Sequence, residues 1–292
     1  NMTRFEKLCW YWMHTNEFLL SKIDKHVQFE RLISDYEYFE KNLLNQIDLY
    51  ISKRLWEEQV QKPKNTSKKY LFRKTIKKSS GGLVSALEGF GDRYNFMWVG
   101  WAGGTVNGRP EQEKISAELK DRFNYLPLFL EKQEAKHYYT GFSNSSLWPL
   151  LHYISPYARY AEAWWESYQR VNRMFADTVA SRAKPGDIIW VHDYHLMLLP
   201  ALLRERISGI RIGFFLHTPF PPSVVFACHP NREELLEGLL GADLIGFHTF
   251  TYLSHFRSAL LRILGMESEI DYICGNSHNT AIGVYPIGIN YE

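Results

Sequence analysis

The stretch Ile188-Ile189-Trp190-Val191-His192-Asp193-Tyr194-His195 decides the fold, because a short apolar run rich in β-branched residues ends abruptly in polar side chains. A run of this length and composition predicts a buried strand. A helix is predicted to follow from Leu198 to Ile207, with Pro200 tolerated in its first turn. A strand that leads directly into a helix is the repeating unit of an α/β sheet.

The same alternation continues through the rest of the chain. Further strands are predicted at 211–216, 244–247 and 282–284, and helices at 233–240 and 252–264, the last of them ended by Gly265. Strands that alternate with helices in this way indicate a parallel sheet with helices on both faces. The predicted fold class is therefore α/β.

The chain before residue 80 has a different character. All 19 glycines lie at or after Gly81, and residues 1–80 hold 16 Lys and Arg against 10 Asp and Glu. Apolar residues recur every three or four positions from Val27 to Glu58, which predicts an amphipathic helix that is either a partner-binding arm or packs on its own domain. The basic stretch 62–78 predicts a solvated linker. We therefore expect residues 1–78 to form a helical, basic extension that precedes a domain over residues 79–292.

The composition excludes several classes of protein. A chain of 292 residues with 45% hydrophobic content can bury a full core, and its net charge of +2 is too small for a general binder of nucleic acid or membrane surfaces. Cys9, Cys228 and Cys274 form no C-x-x-C pair, which argues against a disulfide framework and a zinc site and favours a reducing, cytoplasmic location. No apolar run reaches the roughly 18–20 residues of a membrane helix.

Three consecutive predicted strands each lead into a histidine, namely His192, His217 and His248. Because ligands bind beyond the carboxyl ends of the strands of an open parallel sheet, we expect these side chains and Asp193 on one rim. Their role there is either to bind a polar ligand or to make structural hydrogen bonds. His195 adds a fourth imidazole, but alternate residues at a strand end point to opposite faces, so we expect no metal site.

Two further stretches could bind a ligand. Gly81 and Gly82 precede an apolar run that can begin a helix, and a helix N-terminus attracts phosphate, although two glycines before a helix also form an ordinary turn. The stretch Tyr138–Leu150 combines aromatic faces with hydroxyl and amide groups. That combination suits sugar recognition, and it equally suits aromatic side chains that close a core.

Seven stretches, in order, resemble the amino-terminal half of the trehalose-6-phosphate synthases, which are retaining glucosyltransferases built from two Rossmann-like domains in the GT-B arrangement. The stretches are Ser79–Leu87, Trp98–Trp101, Gly141–Leu150, Ile189–Met197, Phe215–Pro221, Asp243–Thr249 and Tyr285–Ile289. The resemblance implies that residues 79–292 form a Rossmann-like domain, one half of a GT-B fold. It also implies glucosyl transfer from UDP-glucose to glucose-6-phosphate in trehalose biosynthesis, with UDP-glucose as co-substrate and without a metal or other cofactor.

On the donor side, the resemblance implies that Gly81 and Gly82 lie beside the diphosphate of UDP-glucose and that His217 lies near the donor glucose and the reacting centre. The family mechanism is a front-face displacement in which the leaving phosphate takes the proton of the acceptor. The protein then mainly positions the two sugars and stabilises phosphate charge.

On the acceptor side, the resemblance implies that Tyr139 and Trp148 contact glucose-6-phosphate and that Asp193 orients the acceptor sugar. His217 and Asp193 are thus the candidate catalytic residues. The expected partners are a sugar phosphate and a nucleotide sugar, and neither nucleic acid nor a membrane.

The sequence departs from the family pattern in three places. No Val-Ser-Asn-Arg-Leu-Pro-like motif precedes Ser79, and Arg73 is only a weak substitute for its phosphate-binding arginine. Val224 and Ala227 stand where the family usually has an acidic and a basic residue. The chain ends at Glu292, where the donor-binding domain of the family is expected to begin.

These departures leave three functions open. The chain is the acceptor-side half of a synthase, a non-catalytic structural or regulatory subunit of a trehalose-synthesis complex or homo-oligomer, or part of a related glucosyltransferase with another acceptor. The presence of Tyr139, Trp148, Asp193 and His217 favours the synthase half. The missing arginine motif favours the non-catalytic subunit.

We expect the 292-residue chain by itself to release no UDP from a mixture of UDP-glucose and glucose-6-phosphate. In the family, the basic pair that neutralises the diphosphate and the carboxylates that read the donor glucose lie beyond the last recognised stretch. A coupled assay for UDP release measures this directly. Turnover above the enzyme-free blank would contradict the expectation.

Overall fold

The computed structural model describes residues 96–106, 108–275 and 278–286. The sequence predictions for Val27–Glu58, for the basic stretch 62–78, and for Arg73, Gly81 and Gly82 lie outside these residues.

The described residues form strands in two sheets. In chain order the strands are β1 (Trp98–Trp101), β2 (Tyr125–Leu128), β3 (Ile188–His192), β4 (Arg211–Phe215), β5 (Leu244–Phe247), β6 (Tyr272–Cys274) and β7 (Asn279–Val284). β1 and β2 pair in parallel as a two-stranded sheet, and the larger sheet has the order β3-β4-β5-β7-β6.

Helices connect the strands. They are α1 (Arg109–Phe123), α2 (Lys132–Ala135), α3 (Trp148–Leu151), α4 (Glu162–Ala180), α5 (Leu199–Arg206), α6 (Ser223–Phe226), α7 (Arg232–Leu239) and α8 (Phe250–Ala259), together with a π-helix at Lys136–Leu147 and another at Leu260–Leu264. No helix in the described part of the chain combines the length and the apolar character needed to cross a membrane.

The larger sheet confirms the predicted α/β class. β3, β4, β5 and β7 are parallel, and α5, α7 and α8 lie between successive parallel strands as the sequence predicted. Only β6 is antiparallel, paired with β7. It was not predicted, because a three-residue strand is too short to show a period of two.

Local chemistry explains where the helices begin and end, and α8 begins at Phe250, two residues before its predicted start. Pro200 lies in the first turn of α5, where a missing N–H costs nothing. Thr249 caps α8 by accepting a hydrogen bond from the backbone N–H of Tyr252 at 3.3 Å. Gly265 ends the helical segment with a φ of 67°, a left-handed conformation that favours glycine.

The prediction of a buried strand at Ile188–Val191 was wrong for two of its four residues. Ile188 is 65% exposed and Trp190 is 46% exposed, whereas Val191 is buried. Successive side chains of a strand point to opposite faces, and on β3, at one edge of the five-stranded sheet, the face that carries Ile188 and Trp190 is largely uncovered. An apolar run identifies a strand, but it does not tell whether both faces of that strand are covered.

An aromatic cluster fixes the segment that follows β4. Phe220 is fully buried, and its ring lies 4.8 Å from that of Phe226 in α6 and 5.3 Å from that of Phe256 in α8. Phe247 at the end of β5 packs on Phe256 at 5.2 Å. Aromatic pairs at these separations add to the free energy gained from burial alone. The segment after β4 is therefore anchored in the core two residues beyond Thr218.

Two glycines allow α5 and the end of α7 to meet backbone to backbone. A Cβ on Gly238 would lie 2.5 Å from the carbonyl oxygen of Met197, and a Cβ on Gly241 would collide with the backbone of Pro200 and Ala201. Neither backbone contact can move without shifting a helix.

Gly241→Ala should therefore lower the free energy of unfolding by about 1–3 kcal/mol, the usual cost of forcing extra atoms into a packed core. Gly213→Ala is the matched control, because a Cβ there meets only the Trp190 ring at 3.5 Å, an ordinary contact. Urea denaturation of both variants measures the difference. Equal stability of the two variants would contradict the close packing at Gly241.

His229 is a fully buried histidine held by two hydrogen bonds. The backbone N–H of Asn231 donates to its Nδ1 at 3.1 Å, so Nε2 carries the proton and donates to the hydroxyl of Ser146, also at 3.1 Å. Burial, and to a smaller extent the nearby Arg232 guanidinium, lowers the pKa of His229 to about 3. The ring is therefore neutral in the folded protein at all but strongly acidic pH.

Because His229 is buried in its neutral form, it lowers the stability of the folded chain at acidic pH. Above about pH 6.5 the ring is neutral in both the folded and the unfolded chain, so it contributes no pH dependence. Between about pH 6.5 and 3 only the unfolded chain binds the proton, and stability falls with a slope of up to about 1.4 kcal/mol per pH unit. His229→Gln should reduce the slope of unfolding free energy against pH in this range. An unchanged slope would show that the ring protonates equally in both states.

Candidate active site

The three histidines at the strand ends lie side by side, as the sequence predicted. His192 is the last residue of β3, His217 lies two residues after β4, and His248 directly follows β5. The Nδ1 of His192 is 3.0 Å from the Nε2 of His217, and the rings of His217 and His248 are 5.9 Å apart. The carboxyl ends of three parallel strands thus form one imidazole-lined rim.

Asp193, the residue directly after β3, has a strained backbone conformation. Its φ of 70° and ψ of 171° fall in a region that is almost restricted to glycine and costs of order 1–3 kcal/mol for other residues. Its N–H donates to the carbonyl oxygen of Phe215 at 2.8 Å, which holds the strained residue against the end of β4. Strain of this kind persists only where the surroundings enforce it, and such residues cluster at functional sites.

The carboxylate of Asp193 joins the ends of β3 and β4. It accepts the backbone N–H of His217 at 3.3 Å, and the amides of Tyr194 and Thr218 also bond to it. Burial raises the pKa of Asp193 to about 6, because these three amide bonds offset only part of the cost of enclosing the charge. At neutral pH the carboxylate is therefore mostly ionised and can accept a further hydrogen bond.

Tyr139 lies between two other aromatic rings. Its ring stacks on that of His195 at a centroid distance of 5.4 Å and an interplanar angle of 12°, and it tilts against that of Trp101 at 5.5 Å. Tyr138, by contrast, is buried in the core and donates its hydroxyl to the carbonyl oxygen of His195 at 3.2 Å. Tyr138 therefore closes the core, whereas Tyr139 is partly buried at the edge of the core, and its role in sugar recognition stays a prediction.

Three buried polar atoms around this rim lack a hydrogen-bond partner among the described residues. They are Nε1 of Trp101, Nε2 of His195 and the hydroxyl oxygen of Thr218. Buried polar groups are almost always paired, and an exception points to a missing ligand or water. The indole N–H is a donor, and the imidazole nitrogen and the hydroxyl oxygen can each accept. Together they suit a ligand that carries several hydroxyl groups.

The imidazoles of His192, His195 and His217 are uncharged at neutral pH. Burial lowers the pKa of His192 and of His195 to about 4, and burial together with the neighbouring His192 and His248 lowers the pKa of His217 to about 3. With ionised Asp193 beside them, these groups offer hydrogen bonds rather than positive charge. This part of the rim is therefore better suited to hydroxyl groups than to phosphate.

The segment after His217 is held from two sides. The carbonyl oxygen of Phe220 accepts from the Tyr153 hydroxyl at 3.1 Å and from Nδ1 of His255 at 2.9 Å. Tyr153 has a φ of 64°, an uncommon value for a tyrosine. Trp148 lies nearby in α3 and stacks on His152 at a ring distance of 4.2 Å. These contacts connect the helix that carries Trp148 to the segment that carries His217.

The structure brings some of the predicted site residues together and leaves others apart. Asp193 contacts His217 directly, and Tyr139 joins them through His195, two residues beyond Asp193. Trp148 makes no hydrogen bond or ring contact to His217 among the described residues, and the hydrogen bond from Tyr153 to Phe220 is one connection between their segments. Gly81 and Gly82 lie outside the described residues. The individual roles of Tyr139, Trp148, Asp193 and His217 stay predictions.

The sequence interpretation missed two groups. Trp101 was quoted only as part of a matching stretch and His195 only as a rejected metal ligand, yet they enclose Tyr139. The position of Trp101 at the carboxyl end of β1 was the available signal. In the part of the chain that the structure describes, no group of three or more His, Cys, Asp or Glu side chains is arranged to hold a metal ion.

Curated proteins with similar sequences are UDP-forming α,α-trehalose-phosphate synthases. The chain is 49% identical over 220 residues to the synthase of Emericella nidulans, covering 73% of this chain and 43% of that protein. It is 44% identical over 219 residues to that of Pichia angusta, covering 73% of this chain and 46% of the relative. The chain thus spans less than half the length of these relatives.

Solved structures agree with the sequence relatives. A UDP-forming trehalose-phosphate synthase from Burkholderia xenovorans in complex with glucose-6-phosphate matches with a TM-score of 0.65 and 30% identity, over 74% of this chain and 49% of that one. The E. coli protein bound with UDP-2-fluoro glucose matches with a TM-score of 0.65 and 32% identity, over 74% and 48%.

A family model settles the classification. The model for glycosyltransferase family 20 matches residues 48–292, which is most of the chain. The matched range includes every described element of the sheet and the rim at its carboxyl edge. The chain belongs to glycosyltransferase family 20.

Proposed function

We propose that this chain forms the acceptor-binding part of a retaining glycosyltransferase that moves glucose from UDP-glucose to glucose-6-phosphate, the step that makes trehalose-6-phosphate. The observation that carries the proposal is a group of side chains beside the rim, at and after the carboxyl ends of β1, β3 and β4. There Tyr139 offers an aromatic face, and Trp101, His195 and Thr218 carry buried polar atoms without partners among the described residues.

The chemistry of this rim suits a hexose. A sugar ring presents an apolar face that packs on an aromatic ring, and hydroxyl groups that both donate and accept hydrogen bonds. Tyr139 supplies the face, and ionised Asp193 supplies a strong acceptor. The proposed acceptor subsite therefore consists of Tyr139, Trp148 and Asp193, with Trp101 and His195 as neighbours.

The neighbouring structures support the same substrates. The Burkholderia xenovorans structure is described as a complex with glucose-6-phosphate, and the E. coli structure as bound with UDP-2-fluoro glucose. On this basis Gly81 and Gly82 are proposed to lie beside the diphosphate of UDP-glucose, and His217 beside the donor glucose.

In the proposed reaction, the bond between the anomeric carbon of glucose and the diphosphate oxygen breaks. A new bond forms on the same face of that carbon to the anomeric hydroxyl of glucose-6-phosphate. The proton of that hydroxyl passes to the departing diphosphate oxygen, so the protein supplies no nucleophile and no separate base. The residues of this chain accelerate the step by holding the acceptor hydroxyl beside the departing diphosphate, on the same face of the anomeric carbon, and by excluding water.

A second candidate function is a non-catalytic subunit of a trehalose-synthesis complex or a homo-oligomer. A solved structure described as the N-terminal domain of a Candida albicans trehalose-6-phosphate phosphatase matches this chain with a TM-score of 0.59 and 37% identity, over 66% of the chain and 41% of that one. The same domain therefore also occurs in a protein named for another activity, which favours a scaffold role if sugar phosphate does not bind.

Removal of the Asp193 carboxylate should separate the two functions. Asp193→Gly keeps the strained backbone accessible, because glycine adopts positive φ freely, and should be about 1 kcal/mol more stable than Asp193→Ala. We expect Asp193→Gly to bind glucose-6-phosphate at least about tenfold more weakly than the parent chain, since a hydrogen bond to a charged group contributes about 1.5–3 kcal/mol. Titration calorimetry measures the affinity.

Asp177→Ala is the matched control, because Asp177 lies on α4 and makes an exposed ion pair with Arg206 at 2.8 Å. This variant should bind glucose-6-phosphate like the parent chain. If the parent chain binds no glucose-6-phosphate at millimolar concentration, the acceptor-site proposal fails and the scaffold function is favoured. If Asp193→Gly binds as tightly as the parent, Asp193 is not part of the site.

A further inference from the structure

His192 has no role in the reaction proposed above, yet it makes the closest side-chain contact to His217 among those described. Its Nδ1 lies 3.0 Å from Nε2 of His217, within hydrogen-bond distance. The pairing of β3 with β4 places His192 opposite Phe215, two residues before His217, so the register of the sheet sets this contact. Both rings are partly buried.

Each ring is fixed by its own surroundings. The ring of His192 packs against that of Trp190 at 4.6 Å. The ring of His217 meets the edge of Phe215 at 4.8 Å, and its backbone N–H donates to Asp193. Neither imidazole can turn away without losing these contacts, so the hydrogen bond between them joins two oriented groups.

A hydrogen bond between two neutral imidazoles contains one proton. Burial keeps the pKa of both rings well below the ordinary value, so at neutral pH each ring carries a single N–H. Whichever ring donates, Nε2 of His217 is occupied by His192. The nitrogen of His217 that can meet a ligand is then Nδ1, and its character as donor or acceptor is set by the direction of the bond to His192.

We propose that His192 is a positioning residue. Its contact to Nε2 orients the His217 ring so that Nδ1 faces the ligand, and it keeps His217 in a single tautomer. The proposal rests on the function proposed above, in which His217 lies beside the donor glucose. If Nδ1 carries the proton, it donates to a sugar or phosphate oxygen. If it does not, it accepts from a sugar hydroxyl and cannot bind phosphate.

The tautomer can be measured without any ligand. Long-range ¹H–¹⁵N correlation spectra of the histidine-labelled 292-residue chain distinguish protonated from unprotonated ring nitrogens. We expect one tautomer of His217 in the parent chain and in His192→Asn, whose amide takes the position of Nδ1. In His192→Leu, which cannot make the bond, we expect an average of two tautomers.

His137→Asn serves as the control for loss of a histidine, because His137 pairs with Gln133 away from the rim. It should leave the His217 signals unchanged. A mixture of tautomers in the parent chain would overturn the proposal even if His192→Leu failed to fold, and so would a His192→Leu spectrum identical to that of the parent.

Affinity for UDP-glucose gives a second readout. His192→Leu should bind about tenfold more weakly than the parent, which corresponds to the loss of about one hydrogen bond, and His192→Asn should stay within about twofold. Equal affinity of His192→Leu and the parent would overturn the positioning role in binding. The parent chain could bind no UDP-glucose while the spectra still follow the expected pattern. In that case the proposed donor role of His217 is wrong, and the positioning of His217 by His192 is supported.

Discussion

The site depends on one short link between two strand ends, the reciprocal hydrogen bonds of Asp193. Its N–H binds the Phe215 carbonyl at the end of β4, and its carboxylate binds the His217 amide two residues further on. The energy of these bonds offsets a backbone conformation that aspartate rarely adopts. This link fixes the positions of His217 and Thr218 relative to the end of β3.

The rim itself could be predicted because it follows from a general rule. Parallel strands end at one edge, so His192, His217 and His248, each at or just after an apolar run, had to meet there. The strands and the helices between them could also be predicted, since the hydrophobic residues of 188–264 recur with a clear period. These predictions needed only the order of residues along the chain.

Other features could not be predicted, because they depend on contacts between distant residues. Tyr139 meets Trp101, 38 positions earlier, and His195, 56 positions later, and no local pattern brings these rings together. The positive φ of Asp193 could not be predicted from the sequence, because it occurs at an aspartate rather than at a glycine. The exposure of Trp190 depends on which strand forms the edge of the sheet, which is a property of the assembled fold.

The three backbone amides on Asp193 also limit what this residue can distinguish. A carboxylate has about four acceptor positions, and the amides of Tyr194, His217 and Thr218 take three of them. Few positions are left for a ligand. If Asp193 binds the acceptor sugar as proposed, it contacts few of the sugar's hydroxyl groups, and discrimination at the other carbons falls to different groups of the site.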